Sequence, residues 1–579
     1  MLLFLLAITQ WESSGITITA KRFKDLPYRI ETISVDKTLT ISNLGEFLEK
    51  KAGVKIKEYG SPGGLTQVVT SGMTPSHTLI LLNGHRISDP RTGGFDLSTI
   101  PLNFVKKIEV IKGSSSVFLG SNAVGGIINF ITENNNGHIK IKGNSLPGFS
   151  ANIGGKKFDI TGFLHLDKGK GERSNTDYVR YSTSLSWKGF NLLGTYRTVG
   201  LPGPIPPSGV VPEFGDSNVT NLYDKQITKF IDLSYHRILG IGDIGILISP
   251  SIRWELMEPE NRYSDYFTHD TVKENDKYTT LVGELNGKIL YKGITLSLHL
   301  EGDTITMHQF RSSGDATSWY AGEINAGGSI SSSYEFNGIN LFGSTRLDWY
   351  RSFGFRPSVT IGARYNGPIE GYISFGSAFR SPTLNDLYWP LYSNDSLQPE
   401  YSTGLNAGVV RAGFSLSGHI EDVKDRIGYG PDWRPHNIYK SRIYGIDIGY
   451  KGEYEELSYS LNYSYLDGYD DLDTLKRDLQ YQPRHSISGV LRYEGPVNFE
   501  ISGRGIGRMK KWFDYPGEWK EEGPCLIVDV SLEKKIGVLT IGTGIENILS
   551  EEYITNFGYS YYDRDYPGLK RYFTLWLSL

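Results

Sequence analysis

Three short strand-like runs between Thr78 and Thr132 decide the fold that this sequence predicts. The first, Thr78–Ile87, reads TLILLNGHRI; the second, Val105–Gly113, reads VKKIEVIKG; the third, Leu119–Thr132, reads LGSNAVGGIINFIT. Gly, Asn or Ser punctuates each run and supplies its turns. Leu79–Leu82 is apolar without alternation, which is typical of a strand buried on both faces. The residues alone therefore predict a compact α+β unit.

A capped helix is predicted ahead of these runs. Asn43 with Glu46 three positions later makes a capping box, and Gly53 suits the end of the helix. The apolar face of this helix is formed by Leu44, Phe47 and Leu48. Pro101 favours a first helical turn and predicts a second short helix that ends at Lys106.

The composition indicates a large antiparallel β-protein. The 579 residues include 68 Gly, 37 Tyr, 26 Phe and 10 Trp, but only 5 Met and 1 Cys. Mean hydropathy is −0.30, and no apolar run of about 18 residues follows the N-terminus, which excludes a helical membrane protein but not a β-barrel. The net charge of −4 gives no general attraction to nucleic acid, so no such partner is predicted.

Apolar and polar residues alternate from about residue 138 to the end of the chain. Clear examples are 179–187, 458–465 and 573–579. Such alternation over about ten residues matches a tilted membrane strand. The remaining roughly 440 residues, at about 20 per strand and turn, give on the order of 22 strands, a size at which the lumen needs a plug. A tandem of soluble β-sandwiches is the alternative, although the repeating linkers it requires are missing.

The three runs, in this order and at this spacing, resemble the plug domain of TonB-dependent outer-membrane receptors. The barrel region is similar to the same family at FGSAFRSPTLNDLY (375–388), LQPE (397–400), NILSEEY (547–553) and YPGLKR (566–571). The resemblance spans about residues 16–579. It implies an all-β transmembrane barrel of about 22 antiparallel strands, with an N-terminal α+β plug domain that fills the lumen. It also implies a place in the cell outer membrane, contact with membrane lipid, and insertion by the barrel assembly machinery.

The predicted division of the chain follows from this resemblance. Residues 1–15 are assigned to an export signal or degenerate leader, 16–24 to an energy-coupling box, 25–137 to the plug domain and 138–579 to the barrel. The apolar run at the start is short for an export signal. The start codon could therefore lie upstream, and a buried strand of the mature protein is the other reading of this run.

The box has the sequence ITITA, formed by Ile16, Thr17, Ile18, Thr19 and Ala20. By itself this alternation suits any edge strand. Its position ahead of a plug-like domain resembles the family's TonB box, which adds as a strand to the sheet of a TonB-like periplasmic energy-coupling protein. The physical requirement is a β-prone backbone with open hydrogen-bonding groups, which Ile/Thr alternation supplies.

Three positions depart from the family pattern. Two plug arginines that pair with barrel glutamates in the family are replaced here by Ser71 and Lys107, and the C-terminal aromatic residue is replaced by Leu579. Serine cannot form an ion pair, and lysine lacks the forked geometry of arginine. The plug–barrel lock is therefore assigned to Lys107 and Glu109, with the expectation that it is weaker than usual or built elsewhere.

The resemblance implies a ligand-gated importer that needs no covalent chemistry. The sequence contains no HExxH, GxSxG or Walker pattern, and the protein is predicted not to be an enzyme. A passive structural or adhesive outer-membrane barrel is the alternative of another class, but it would have no use for a box or a plug.

The ligand is predicted to be cobalamin or a related corrinoid, because Met73–His77 (MTPSH) resembles the approach to the strand in cobalamin receptors. The predicted ligand-binding residues are Tyr59, Ser61, Met73, Thr74, Pro75, Thr92, Gly93 and Phe95. Ferric-siderophore receptors share most of these plug motifs and remain the alternative, as do haem receptors. Haem would need axial ligands, for which the candidates are His85, His269, His308 and His436.

No cofactor is predicted to be required, and calcium is a possible one. Asp216, Asp224, Asp265 and Asp270 are the candidate calcium ligands, since Ca²⁺ needs several oxygen atoms together. Their spacing fits no EF-hand loop, and solvated loops are the simpler explanation of these aspartates.

Overall fold

A computed structural model describes most of the chain. The described ranges are 30–35, 43–52, 54–59, 63–132, 138–144, 148–157, 160–169, 175–200, 225–264, 271–311, 316–430, 432–472, 476–513, 517–557 and 565–579. Several predictions lie outside these ranges and stay predictions. They are the leader 1–15, the box residues Ile16–Ala20, the ligand residue Ser61 and the calcium candidates Asp216, Asp224, Asp265 and Asp270.

The N-terminal unit is an α+β domain. In chain order its elements are β1 (Ile30–Ser34), α1 (Leu44–Ala52), β2 (Lys55–Glu58), β3 (Thr66–Val69), β4 (Thr78–Leu82), β5 (His85–Arg86), β6 (Val105–Lys112), α2 (Ser116–Leu119) and β7 (Gly126–Thr132). Three single-turn 3-10 helices lie at Pro75–His77, Leu97–Thr99 and Leu102–Phe104. Five strands form one sheet in the order β1-β6-β7-β4-β5, and β2 and β3 form a separate hairpin.

The three runs of the sequence are neighbouring strands of this sheet. β4 runs parallel to β7, and β6 runs antiparallel to it. Helix α1 covers one face of the sheet with Phe47 and Leu48, while Leu119 of α2 packs on the other face. As predicted, β4 is buried on both faces, because every side chain from Thr78 to Leu82 is buried. The sheet is therefore the core around which the domain is built.

Local capping explains where α1 begins. The backbone N–H of Glu46 donates to Asn43 Oδ1 at 2.7 Å, which satisfies one of the open donors of the first turn. The prediction of a second helix from Pro101 to Lys106 was wrong in extent. Pro101 precedes a single 3-10 turn, and β6 already begins at Val105. The β-branched and apolar residues of VKKIEVIK pair with β7, and this pairing overrides the helical start signal.

The rest of the chain forms a closed antiparallel barrel with two small hairpins in its loops. In chain order its strands are β8 (His138–Asn144), β9 (Gly148–Lys157), β10 (Ile160–Gly169), β11 (Tyr178–Trp187), β12 (Phe190–Gly200), β13 (Lys225–Tyr235), β14 (Arg237–Ile241), β15 (Ile244–Ser264), β16 (Thr271–Tyr291), β17 (Ile294–Arg311), β18 (Ala316–Phe336), β19 (Ile339–Tyr350), β20 (Gly354–Tyr365), β21 (Glu370–Arg380), β22 (Glu400–Arg411), β23 (Phe414–Tyr429), β24 (Pro435–Tyr454), β25 (Leu457–Asp471), β26 (Lys476–Asp478), β27 (His485–Tyr493), β28 (Asn498–Ile506), β29 (Met509–Phe513), β30 (Glu518–Glu522), β31 (Cys525–Ile536), β32 (Leu539–Glu546), β33 (Ile554–Asn556), β34 (Tyr566–Pro567) and β35 (Tyr572–Ser578).

Within the described residues the barrel wall has twenty-four strand segments, because β29, β30, β33 and β34 pair only within the loop hairpins. Two of these segments continue an interrupted strand: β13 and β14 both pair with β15, and β26 and β27 both pair with β25. Counted once each, the interrupted strands leave twenty-two wall strands. The barrel closes where β35 pairs with β8. The predicted barrel class is confirmed.

The barrel is apolar outside and polar inside. Along β35, Phe573 and Leu575 point outward with 54% and 57% of their surface exposed, whereas Thr574 and Trp576 point inward and are buried. β11 repeats this pattern with Tyr181 outside and Arg180 inside. This is the alternation predicted from the sequence, and it matches a wall with hydrocarbon outside and a plug inside.

The two ends of the barrel differ. At the short-turn end, two-residue turns such as Lys188–Gly189 and Lys292–Gly293 join neighbouring strands, and both residues of each turn have positive φ. This backbone matches the twist of the strands that it connects, and glycine adopts it without strain. The long-loop end carries longer connections, among them one that contains helix α3 (Leu384–Tyr388) between β21 and β22. Among the described residues, no helix is both long and apolar enough to cross a membrane.

Candidate functional site

The turn Asp89–Gly94 lies where the N-terminal domain meets the long-loop end. The Asp89 carboxylate accepts hydrogen bonds from the backbone N–H of Arg91 at 2.9 Å and from its guanidinium at 2.7 Å. Gly93, with φ +75°, returns the chain and donates its N–H to the Asp89 carbonyl at 2.7 Å. Thr92 is exposed at the tip. The turn therefore presents one small polar side chain on a rigid backbone.

Helix α3 contacts this turn from the barrel side. Thr383 Oγ1 accepts from the backbone N–H of Asp386 at 3.1 Å, and the Asp386 carboxylate accepts from the Thr383 N–H at 2.9 Å, which makes a capping box. The next open donor, the N–H of Leu384, reaches the Pro90 carbonyl at 2.9 Å. The N-terminus of helix α3 thus uses its open N–H groups to hold the turn Asp89–Gly94, which is called the apical turn below.

Aromatic side chains surround the same turn. The Arg91 guanidinium lies 4.7 Å from the centroid of the Tyr278 ring. Tyr278 stacks near Trp389 with centroids 6.2 Å apart, and Trp389 meets Trp319 edge-on at 5.9 Å. Such rings supply apolar contact area with little loss of side-chain entropy, which suits a surface for a bulky ligand.

The second segment at this end is Met73–His77, which is fastened to the barrel wall. His77 Nε2 lies against the carboxylate of Glu400, and His77 Nδ1 lies 2.6 Å from Thr74 Oγ1. Burial lowers the pKa of His77 despite the neighbouring Glu400 carboxylate, so the ring is neutral. Nε2–H then donates to Glu400, and Nδ1 accepts from the Thr74 hydroxyl.

The third segment is the β2–β3 hairpin with its connecting loop. The Tyr59 N–H donates to the Leu65 carbonyl at 3.0 Å, and its ring meets Tyr566 edge-on at 5.2 Å. Thr555 Oγ1 donates to the Glu58 carbonyl at 2.9 Å. Burial raises the pKa of Tyr59, so its hydroxyl keeps its proton at neutral pH. Barrel loops therefore hold this hairpin at the same end as the other two segments.

Buried polar pairs attach the N-terminal domain to the inner wall. Lys50 of α1 contacts Asp529 of β31, and Glu49 contacts Arg504 of β28. Ser114 donates through its N–H and its hydroxyl to Glu421 of β23 at 2.9 and 2.6 Å. Further attachments join His85 to Glu284 at 3.3 Å, Arg86 to Glu301 at 3.6 Å and Lys112 to Asp447 at 3.2 Å. The domain thus occupies the lumen and is bonded to the wall on several sides.

Family models match both parts of the chain. The TonB-dependent receptor plug domain matches residues 23–127, and the TonB-dependent receptor-like β-barrel matches residues 121–548. The chain belongs to the TonB-dependent receptor family. These proteins are receptors and transporters of the outer membrane that bind small molecules and interact with TonB. This receptor is accordingly an outer-membrane β-barrel whose lumen holds a plug, and its long loops face outward.

Similar curated proteins include two vitamin B12 transporters. The vitamin B12 transporter BtuB of Photobacterium profundum is 23% identical over 97% of this chain and 96% of its own length. That of Vibrio vulnificus is 24% identical over 93% of this chain and 91% of its own.

Similar solved structures are named for other ligands. The ferric enterobactin receptor PfeA has a TM-score of 0.72 at 16% identity, with 97% of this chain and 100% of that one covered. The siderophore receptor PirA of Acinetobacter baumannii has a TM-score of 0.71 at 15% identity, and the copper transporter OprC one of 0.75 at 15% identity; each match covers 95% of this chain and 98% of the other. At these identities the likeness concerns the fold.

The predicted ligand residues of the receptor lie at the long-loop end but differ in access. Thr92 is exposed, and Tyr59, Thr74 and Pro75 are half-buried. Met73, Gly93 and Phe95 are buried. Met73 packs with barrel residues such as Val423 and Ile443, and Phe95 meets Phe230 edge-on at 6.1 Å. The structure therefore brings the three segments together, while their role in ligand binding stays a prediction.

The predicted lock residues pair with each other within the plug. Lys107 Nζ lies 2.8 Å from Glu109 Oε1, and Asn129 of the neighbouring strand donates to the other Glu109 oxygen at 3.1 Å. Ser71 donates its hydroxyl to the Gly125 carbonyl at 2.9 Å. The assignment of the lock to Lys107 and Glu109 stays a prediction, and the plug–wall pairs given above are formed by other residues.

The three described histidines among those proposed as haem ligands are not brought together. His85 is buried beside Glu284 and Ser249, whereas His308 and His436 are held on the barrel by Ser318 and Asp432. His269 lies outside the described residues. Local sequence patterns assigned no structural role to His77, Lys50 or Glu400, because their partners lie hundreds of residues away. The motif LQPE did contain Glu400, although nothing in it indicated the histidine partner.

Proposed function

We propose that this receptor imports cobalamin or a related corrinoid from the extracellular face to the periplasm, using energy from the TonB system. The observation that carries the proposal is the match to vitamin B12 transporters over nearly the full length of both chains. The compact apical turn with exposed Thr92, flanked by Trp389, Trp319 and Tyr278, supports it. A bulky ring system can rest on such rings and approach the backbone closely.

A ferric siderophore is the second candidate ligand. It is supported by the fold-level likeness to siderophore receptors, which is weaker support than a full-length relative because the identities are only 15–16%. Haem is a third candidate with less support, because the described histidines give no pair of axial ligands at the long-loop end. Calcium could assist ligand binding through the four aspartates of the sequence prediction, and this stays a proposal.

Equilibrium binding to the purified receptor, measured in parallel for cobalamin, ferric siderophores and haem, tests the ligand. Submicromolar binding of cobalamin alone is the expected result. Submicromolar binding of only an iron chelate would transfer the proposal to the second candidate. Uptake that persists in cells lacking TonB would instead favour the passive structural or adhesive barrel.

A further inference from the structure

Lys57 of the plug projects toward an aromatic ring of the barrel. Its Nζ lies 3.8 Å from the centroid of the ring of Tyr481, a residue in the loop between β26 and β27. Lys55, two residues earlier, pairs with Glu49 at 3.4 Å. Within the described part of the chain, Lys57 forms no such ion pair. A half-buried ammonium that lacks a carboxylate partner offers three donors to an incoming anion.

A second lysine faces the same ring. Lys511 Nζ of β29 lies 5.4 Å from the Tyr481 centroid. The two elements are fixed to each other, because the Tyr481 N–H donates to the Lys510 carbonyl at 2.9 Å. One ammonium therefore comes from the plug and the other from the barrel, and both lie near the same ring.

Aromatic rings border this pair of lysines. Trp512 and Trp519 of the β29–β30 hairpin meet edge-on with centroids 5.5 Å apart. The Arg477 guanidinium lies 5.2 Å from the Trp512 centroid, and Lys510 Nζ lies 4.7 Å from that of Trp519. These side chains are half-buried rather than extended into solvent. Lys510 also forms an ion pair with Asp478, so these rings add contact area to the surface while Lys57 adds positive charge.

The electrostatic surroundings leave the positive charge of Lys57 unbalanced. Burial, followed by the charges of Lys511, Lys55 and Arg426, lowers the pKa of Lys57 to about 7. The adjacent Glu58 does not compensate, because burial raises the pKa of its carboxyl to about 8 and keeps it protonated at neutral pH. An anion beside Lys57 would relieve this cost.

We propose that Lys57, Lys511 and Tyr481 form an anion subsite of the ligand-binding face, which binds an oxyanion group of the imported ligand. In a corrinoid this group is the phosphodiester of the nucleotide loop. Lys57 belongs to the plug and lies inside the barrel, so a lipid phosphate outside the wall cannot reach it. The inference rests on the proposed import function and adds a requirement for negative charge on the ligand.

The first test compares ligands that differ in the phosphate. Cobalamin carries the phosphodiester, whereas cobinamide has the corrin ring without it. Lys57→Met should weaken cobalamin binding about tenfold or more, since a charge-assisted hydrogen bond is lost, and should leave cobinamide binding within about twofold. Lys57→Arg is the matched control; it keeps the charge and should keep the affinity for cobalamin. Equal weakening of both ligands, or of neither, by Lys57→Met would overturn the subsite.

A second ligand pair separates this proposal from the corrinoid assignment. If the wild-type receptor binds no corrinoid, the same variants are tested with a ferric tris-catecholate, which is negatively charged, and a neutral ferric tris-hydroxamate. If Lys57→Met loses affinity only for the catecholate, the subsite is supported although the corrinoid proposal has failed. Unchanged affinity of every anionic ligand that binds the wild type would overturn the subsite. A heat-dependent gel shift of each variant verifies that its barrel has folded.

Discussion

Lys50 is a deeply buried charge in the attachment of plug to barrel. Its ammonium pairs with Glu46 at 2.6 Å within α1 and with Asp529 on the wall, and 2% of its residue surface is exposed. A buried cation of this kind is stable only while both carboxylates accompany it. The pair joins residues 479 positions apart, so no local pattern in the sequence could have indicated it.

Replacing Lys50 by Met should loosen the plug. The substitution leaves Asp529 and Glu46 in the lumen without their cation, and removal of one partner of a buried pair costs about 3–5 kcal/mol. The denaturant midpoint for release of the plug, followed by proteolysis of the plug within the intact barrel, measures the change. Lys51→Met is the matched control, because burial lowers the pKa of Lys51 and its charge is not stabilised there. An unchanged midpoint in Lys50→Met would show that the wall holds the plug by other contacts.

Acid should weaken the same attachment only at low pH. Burial alone would raise the pKa of Glu46, but the charges of Lys50 and Arg504 outweigh burial and lower it from 4.5 to about 2. A carboxylate whose pKa falls on folding stabilises the folded state above its unfolded pKa, and this contribution is lost as pH falls toward the folded value. Plug release measured against pH should therefore gain a Glu46-dependent component between about pH 4.5 and 2. In Glu46→Gln this component should disappear, and its persistence would assign the acid sensitivity to another carboxylate.

At the scale of the element, the sequence predicts that energy coupling runs through the box Ile16–Ala20. Strand addition takes its affinity from backbone hydrogen bonds, so most side chains in the box should tolerate replacement. Ile18→Pro removes a donor and should stop energised uptake, while ligand affinity stays within about threefold, under ~0.7 kcal/mol. Ile18→Val is the control and should leave energised uptake nearly unchanged. Transport and binding are measured on cells with matched surface levels; normal uptake by the proline variant would reduce the box to a linker.

Elements were predictable where the signal is local. The strands β4, β6 and β7 follow from their own residues and turns, and Asn43 indicates the start of α1 through a bond three residues away. The helix predicted from Pro101 to Lys106 does not form, because the helical preference of Pro101 is weaker than the pairing of β6 with β7. The candidate site was predicted only as a set of segments. Whether Met73 or Thr92 reaches solvent depends on barrel residues such as Val423, which are distant in the sequence.

At the scale of the whole molecule, two kinds of interior coexist. The plug sheet is buried in apolar side chains on both faces, as in a soluble domain. The surrounding barrel reverses the pattern, with Leu575 outside and charged residues such as Glu421 and Arg197 buried within. A polar lumen lets the plug be held by hydrogen bonds and ion pairs that can exchange for others, whereas an apolar interface would not offer such replacements. This arrangement suits a plug that must be both secure and movable.

Closure of the barrel leads to a prediction about the intact protein. Because β35 pairs with β8, the described strands of the wall close on themselves and leave no open edge among them. Detergent cannot unzip such a wall from an edge, so unfolding requires the cooperative loss of the whole ladder. The receptor should therefore run at an anomalous position on detergent gels until it is boiled, and only boiling should move it to the position expected for 64.8 kDa.

The comparison is the variant Ile141→Pro. Ile141 lies in the centre of β8 and pairs with Leu577, and proline removes a hydrogen-bond donor from this pairing. It should lose the shift at a lower temperature than the parent. A parent protein that is soluble and monodisperse without detergent, and shows no shift, would contradict the membrane barrel.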